Sequence, residues 1–452
     1  MGVLASTVKW KTFKTPSFSP MEVKLFDGFE SYLEQIHAVE EENLTDKVRK
    51  ILEQVRVQGD SALLELTQRF DGVRLEQLRV SPKDLKNAFS AVDPELRGVL
   101  EQAAKNIRDF HQRQKTESQL EYSPDGSLLG WKVTPLDSVG IYVPGGRAAY
   151  PSTLLMNVIP AQVAGVSRIA MVSPPDQSGR PASLVMACAE MLGVDELYAA
   201  GGAQAVAALA WGTESIPKVV KITGPGNAYV AEAKRQVFGR VGIDSFAGPS
   251  EIMIVCDRED LPVELLVRDL LSQAEHDPKA GAVLVTTSRI QAIEVKRRLE
   301  ELIPGLPRRV IIEASFAARS ALIVCNSLDA SFEAVNELAP EHLELLTQNP
   351  FEDLKRVRNA GAVFLGPHTP EPVGDYFAGP NHTLPTAGCA KFSSPLGVQD
   401  FVKTSSVLHY TRERLYQEGP SIIRFAEEEE LFAHAEAVRV RINSSPNTCK
   451  DL

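Results

Sequence analysis

Cysteine is sparse in this chain and nowhere paired: Cys188, Cys256, Cys325, Cys389 and Cys449 are all there is, and no two form a CxxC. An odd number at wide spacing argues against a disulfide framework and for reduced thiols in a cytoplasmic setting. No apolar run approaches the ~18 residues of a membrane span. Basic excess is missing too. Lys and Arg number 48 against 59 Asp and Glu, a formal charge of −11 spread along the chain, which makes nucleic acid and anionic membrane poor partners. Residues 1–20 contain Lys9, Lys11, Lys14 and several hydroxyl residues but no acid, no arginine and no apolar core. That stretch reads as a loose N-terminal extension, with an organellar signal as the minor alternative.

What is present is an ordinary soluble balance, 44% hydrophobic and 24% charged over 452 residues, a length for roughly three domains. From Phe29 to about Lys115 the pattern is helical and charged, broken at Asp71-Gly72 and at Ser81-Pro82, where Ser81 is an N-cap candidate. At Val139 the texture changes. The runs VGIYV, RIAMV, ELYAA and VVKIT alternate with expected helices at Ser152–Gly165, Ser183–Leu192 and Ala203–Trp211, the pattern of a parallel sheet with crossover helices. A second series, EIMIVC, GAVLVTT, RVIIEA, ALIVC and GAVFLG, alternates with Leu261–His276, Arg289–Leu302, Phe332–Leu338 and Phe351–Arg358. The class is therefore α/β with two parallel-sheet domains. The expected divisions are an extension at 1–28, a helical part at 29–138, α/β domains at 139–249 and 250–396, and a helical segment at 397–452. After Leu396 no further strand is expected; Asp400–Asn443 reads as helices, with the run Glu427–Glu430 on one of them.

Histidine is also scarce, and four of the eight fall in segments rich in other polar groups. These are Ser272-Gln273-Ala274-Glu275-His276-Asp277-Pro278, Ala339-Pro340-Glu341-His342-Leu343-Glu344, Gly374-Asp375-Tyr376 with Gly379-Pro380-Asn381-His382, and Glu429 with His434. Imidazoles and carboxylates are costly to desolvate unless paired or metal-bound. Leu266, Leu270, Leu271 and Ala274 have a helical period, so Gln273 and His276 share one face and can offer an amide oxygen and an imidazole nitrogen to one cation. Asp375 and His434 would complete an N/O site suited to zinc or its divalent neighbours. The plainer alternative is a histidine capping a helix C-terminus. For Glu341-His342 it is a helix N-terminus opened by Pro340.

A dinucleotide site in an open sheet lies at strand carboxyl ends, where glycine lets the backbone approach a pyrophosphate. Gly224-Pro225-Gly226-Asn227 sits between VVKIT and the helix from Ala228. The full G-x-G-x-x-G is absent, since the sixth position is Tyr229, and no ribose-binding acid is obvious about 20 residues on. A tight strand-to-helix turn explains the segment equally well.

These segments, together with Tyr142-Val143-Pro144-Gly145-Gly146, Gly201-Gly202-Ala203-Gln204 and Ala247-Gly248-Pro249-Ser250-Glu251, closely resemble the histidinol dehydrogenase family in the same order from about Phe26 to Asn443. The resemblance implies an incomplete, Rossmann-like pair of domains arising by duplication. It implies oxidation of L-histidinol to L-histidine through histidinaldehyde, with two NAD reduced in turn and one water consumed, and one Zn²⁺ per subunit. NAD contacts carried over from the family fall on Tyr142, Gln204 and Asn227; no arginine is placed to select a 2′-phosphate, which favours NAD over NADP. Substrate positions fall on Ser250, Gln273, His276, His342, Asp375, Glu429 and His434, with Gln273, His276, Asp375 and His434 as metal ligands. In the family the C-terminal segment crosses to the partner of a homodimer, so His434 would serve the neighbouring site.

The catalytic pair is Glu341, which activates the water that hydrates the aldehyde, and His342, whose unperturbed pKa near 6.5 suits proton transfer from the hydroxyl. Zinc has no redox chemistry and would orient the substrate. A thiohemiacetal route through Cys256, Cys325 or Cys389 is the mechanistic competitor, disfavoured because no electropositive partner stands beside any of them. The functional competitors are another zinc- and NAD-dependent alcohol-to-acid dehydrogenase, acting for example on sulfopropanediol, and a metal-binding scaffold without turnover.

Overall fold

The computed structural model describes residues 22–36, 44–145, 150–245 and 248–444. The N-terminal extension to residue 21, Gly146, Ala247 and Cys449 lie outside the described residues. A short strand β1 (Leu25–Asp27) and helix α1 (Glu30–Ile36) are followed by four helices: α2 (Thr45–Gln58), α3 (Asp60–Phe70), α4 (Pro82–Ser90) and α5 (Pro94–Gln112). Ser81 caps α4 by accepting from the Asp84 N–H at 3.1 Å, as its place before Pro82 suggests. Next come β2 (Gln119–Tyr122) and β3 (Leu128–Pro135).

The first α/β series is β4 (Ser138–Tyr142), α6 (Pro151–Ala164), β5 (Arg168–Ser173), α7 (Ser183–Met191), β6 (Glu196–Ala199), α8 (Gly202–Trp211), β7 (Lys221–Thr223), α9 (Ala228–Val237) and β8 (Gly242–Ile243). Its strands form an all-parallel sheet in the order β6-β5-β4-β7-β8. All five residues of β4 are buried, as a central strand covered on both faces requires. One face packs on α2, α3, α8 and α9 through Leu52, Leu63, Ala207 and Val230; the other packs on α4 to α7 through Leu85, Ile107, Leu154 and Val185.

The second series runs β9 (Glu251–Cys256), α10 (Val263–Ala274), β10 (Gly281–Thr286), α11 (Arg289–Leu302), α12 (Arg309–Ala318), β11 (Ala321–Val324), α13 (Leu328–Leu338), β12 (His342–Leu346), α14 (Pro350–Asp353), β13 (Ala362–Leu365) and α15 (Glu371–Tyr376). The sheet order is β1-β11-β10-β9-β12-β13, again all parallel. Leaving β1 aside, both sheets place their first three strands in reverse order and then step back past the first to the fourth and fifth. The paired α/β architecture expected from the alternating runs is therefore present, in two sheets of one topology. The last described elements are β14 (Val402–His409), α16 (Arg412–Glu428) and α17 (Phe432–Asn443).

Four expectations are corrected. RVIIEA is helical, part of α12: Ile312, Ser315 and Phe316 are the buried positions, an i, i+3, i+4 face, and this spacing overrides the strand preference of the β-branched run. The C-terminal segment is not wholly helical, because β14 pairs antiparallel with β3 from Val402↔Pro135 to His409↔Leu128 and completes a three-stranded sheet, β14-β3-β2. By the same sheet, residues 29–138 are not wholly helical. Finally, the segment before residue 28 contributes β1 to the second sheet, pairing Leu25 with Leu322.

Candidate active site

Residues 339–342 do not open a helix. Ala339 takes a left-handed φ of 51° that ends α13, and His342 begins the fully buried strand β12. Gly361 lies against this turn so closely that a Cβ there would stand 2.5 Å from the Glu341 carbonyl oxygen, which fixes the height of Glu341 above the sheet. The neighbouring strand β9 starts at the same level, with His342 in register with Ile252. Helix α10 returns from the far end of β9 and delivers Gln273 here; His276 follows two residues past the helix end, its N–H bonded to the Gln273 carbonyl at 3.1 Å. From β13 the chain turns back as α15, and Gly374 lets that helix lie on Phe364, where a Cβ would be 2.6 Å from the ring. Glu371 and Asp375, four residues apart on α15, thereby face β12.

Glu341 is buried and accepts hydrogen bonds from the Ser250 hydroxyl and from the Glu251 N–H at 3.0 Å. His342 is 3% exposed; its Nδ1 lies 3.1 Å from the Glu251 carbonyl oxygen, which can only accept, so Nδ1 carries a proton. Its Nε2 has no hydrogen-bond partner. It lies 3.7 Å from Asp375 Oδ1 and 3.9 Å from Glu371 Oε1, too far for hydrogen bonds and near enough for strong electrostatic coupling. Burial alone would lower the proton affinity of His342, but Glu341, Glu371 and Asp375 outweigh it and lift the group to about 10. Burial raises Glu341, against the pull of His342 and Ser250. It carries Glu371 to about 7. Asp375, pushed up by burial, is drawn below the usual carboxylate range by His342 and His382. His276 reaches solvent, yet protein crowds its ring enough to lower its proton affinity, with Asp375 opposing that effect.

One coordinating atom each from His342, Glu371 and Asp375 lies within 4.8 Å of the others, close enough to surround a cation. Gln273 is fully buried, and neither its amide oxygen nor its amide nitrogen has a partner. An orphaned buried amide is costly, and a cation would satisfy its oxygen. The donors are nitrogen and oxygen throughout, which suits zinc. Asp375 is common to this compact cluster and to the set expected from the sequence. Glu371 was missed there, although its signal was present: an acid four residues before Asp375 in a short helical stretch.

Tyr142, Gln204 and Asn227 stand at the carboxyl ends of the first sheet, at the last residue of β4, at the start of α8 and at the start of α9. The Tyr142 hydroxyl accepts from the Gly202 N–H at 3.0 Å, and burial raises its pKa to about 12. Asn227 caps α9, its Oδ1 accepting from Tyr229 at 3.0 Å and Val230 at 3.2 Å, which leaves its NH₂ to donate elsewhere. Apart from the Tyr142 hydroxyl on the Gly202 N–H, the start of α8 has no side-chain cap, since its N-cap residue is Gly201, and a helix N-terminus favours a phosphate. Glu429 and His434 fall elsewhere: Glu429 ends α16, His434 lies in the first turn of α17, and both are exposed on the turn between the helices. In the acidic run Glu427–Glu430, Glu427 pairs with Arg439 and Glu428 with Arg424. The cysteines are poor nucleophiles. Burial raises the pKa of Cys256, Cys325 and Cys389, and Cys256 lies at the opposite end of β9 from Glu251, about 16 Å along the strand.

The sequence pattern of the histidinol dehydrogenase family matches residues 35–442. A histidinol dehydrogenase of Geobacillus kaustophilus is 54% identical over 395 residues, covering 87% of this chain and 93% of its own. One from Bacillus subtilis is 48% identical over 423 residues, with coverages of 93% and 99%. The crystal structure of histidinol dehydrogenase from Elizabethkingia anophelis superposes with a TM-score of 0.88 at 36% identity, over 93% of this chain and 98% of that one. The chain belongs to the histidinol dehydrogenase family, a family of oxidoreductases of histidine biosynthesis.

Proposed function

We propose that the cleft at Glu341 and His342 oxidises L-histidinol to L-histidine in two NAD-dependent steps. The observation that carries this reading is the unpartnered Nε2 of His342, with its Nδ1 proton committed to the Glu251 carbonyl, beside the buried Glu341 carboxylate. In the first step His342 Nε2 takes the hydroxyl proton while hydride leaves the alcohol carbon for the first nicotinamide, giving aldehyde, one NADH and one proton. In the second, Glu341 takes a proton from water as its oxygen adds to the aldehyde carbon; hydride leaves the resulting hydrate for the second nicotinamide, and the carboxylate is released. Ser250 and the Glu251 N–H both hold Glu341 through Oε2, which leaves Oε1 outside those two bonds.

Gln273, His276 and Asp375 are the residues of this chain that would hold zinc, with His434 supplied by the partner of a homodimer. When bound, zinc supplies positive charge that holds the substrate's nitrogens and offsets the carboxylates around His342. The exposed turn bearing Glu429 and His434 supports the exchange, as do Phe425 and Phe432 beside it, 69% and 64% exposed in a single chain. Tyr142, Gln204 and Asn227 would contact NAD. The unpaired cysteines support a cytoplasmic enzyme. Among the described residues no helix is long and apolar enough to cross a membrane. The decisive measurement is NADH formed per histidinol consumed. Two are expected; one, with aldehyde accumulating, overturns the reading. Mixing inactive His434→Ala chains with inactive Gln273→Ala/His276→Ala chains should restore activity, because half of the sites in a heterodimer would be intact. No recovery after demonstrated subunit exchange would place His434 outside the shared site.

A further inference from the structure

β7 ends at Thr223, so the next residue, Gly224, leaves the ladder and its peptide groups need other partners. Both find buried charge. The Gly224 N–H donates to Asp244 Oδ2 at 2.7 Å, and its carbonyl oxygen accepts from Lys234 Nζ at 3.1 Å. Lys234 and Asp244 are themselves an ion pair, with side chains 2% and 4% exposed. Asp244 is anchored in turn. Its N–H donates to the Ile222 carbonyl at 3.2 Å, and its Oδ1 accepts from Ser245 N–H at 2.7 Å. On its remaining side Gly224, at φ +105°, lies so close to β4 that a Cβ would be 2.2 Å from the Tyr142 carbonyl oxygen.

A buried ion pair repays its desolvation poorly, and two well-packed apolar side chains of similar volume are often at least as stable. What apolar side chains cannot do is grip both polar groups of one residue. Here cation, anion and the Gly224 peptide close a ring among themselves. The ring links the end of β7, the body of α9 and the chain leaving β8, and it sets the direction in which the following residues, Pro225 to Asn227, leave the sheet.

We propose that Lys234 and Asp244 are positioning residues for the dinucleotide. They fix the Gly224-Pro225-Gly226-Asn227 turn in its binding shape before NAD arrives, so that binding loses less loop entropy. This rests on the reading of Tyr142 and Asn227 as NAD contacts. The pair touches no reacting atom, and its loss acts on NAD affinity through the turn.

The test is Lys234→Met/Asp244→Asn, which removes both buried charges together, keeps an acceptor for the Gly224 N–H and loses the donor to its carbonyl. KM for NAD should rise about three- to tenfold, the worth of one hydrogen bond, while KM for histidinol, bound metal and thermal midpoint stay near wild type and kcat changes less than KM. A folded double variant with wild-type KM for NAD overturns the proposal and leaves the pair a purely structural element. Asn227→Ser, which retains a helix cap, separates the two readings. If it leaves KM for NAD unchanged, the turn is not an NAD contact and the underlying reading fails; if it raises KM and the double variant does not, only the positioning role fails. Should the double variant not fold, hydrogen exchange on the wild type decides. The Gly224 amide should exchange slowly without NAD and no differently with it. An amide that exchanges fast alone and is slowed by NAD means a turn ordered by the cofactor, and the proposal is wrong.

Discussion

Side by side, the sheets β6-β5-β4-β7-β8 and β11-β10-β9-β12-β13 have the same strand order and direction, yet their polar residues gather at opposite ends. In the first sheet Tyr142, Gln204 and Asn227 stand at the carboxyl ends, where α8 and α9 begin. In the second sheet Ser250, Glu251, Glu341 and His342 stand at the amino ends, where α10 finishes at Ala274 and α15 at Tyr376. Helix N-termini carry partial positive charge and suit a pyrophosphate; helix C-termini carry partial negative charge and suit a cation. One architecture thus offers two electrostatically opposite surfaces, and the proposed function draws one from each sheet. Fold similarity between the halves does not carry over to chemistry, which is set by the end that is used.

The sharpest way to break the comparison is His342→Asn. Removal of the acid/base group at the amino ends should lower kcat about 10²–10⁴-fold with NAD affinity, read by direct titration, unchanged. If NAD affinity falls in parallel, the two ends are not separate sites. Glu341→Gln should come next. It should slow aldehyde oxidation more than alcohol oxidation, by about 10²-fold for loss of a general base, seen in single turnovers as one fast NADH and one slow. Equal slowing of both would remove water activation from Glu341.

Chelation should abolish activity and zinc restore it, and His276→Ala should lose metal measured by atomic absorption. Cys256→Ser, Cys325→Ser and Cys389→Ser should keep both metal and turnover; a cysteine variant that retains zinc and is inactive would revive the thiohemiacetal route. The smallest effect belongs to Asp71, beside the first sheet, whose carboxyl is raised by burial to about 6. A folded pKa above the unfolded one means that the native state binds the proton more tightly, so this stability is present below about pH 4 and lost as pH rises through 6. After discounting for partial exposure the change is about 1 kcal/mol. Asp71→Asn should therefore be the more stable protein at pH 7 in urea unfolding and equal to wild type near pH 4. A constant difference at both pH values would assign the shift to something other than its ionisation.

The two sheets were legible in the sequence because their strands are buried on both faces and read as unbroken apolar runs, such as Val139–Val143 and Ile252–Cys256. Strands β2, β3 and β14 were not. Of β14 only Val402 and Val407 are even half-buried, so no alternation marks it, and its partner β3 lies more than 260 residues earlier. RVIIEA shows the opposite failure, a run of strand-favouring side chains whose i, i+4 spacing of Ile312 and Phe316 was the better guide. Of the candidate site, Ser250, Gln273, Glu341, His342 and Asp375 were named from the sequence. Which end of which sheet they would occupy, and that Glu371 would join them, depends on α15 folding back over β13, which only the three-dimensional path reveals.

The strand β1 has a consequence for synthesis. Leu25–Asp27 lie at the edge of the second sheet, against Leu322–Val324. At about 5–20 residues per second, some 15–60 seconds of translation separate the two. During that interval the first α/β unit emerges whole and can fold on the ribosome, while β1 stays unpaired outside it. The second unit therefore cannot close its edge by a purely forward, residue-after-residue route. It must recruit a segment made before its neighbour was finished, and a nascent chain stalled before residue 321 would present β1 as an open edge to whatever binds extended peptides.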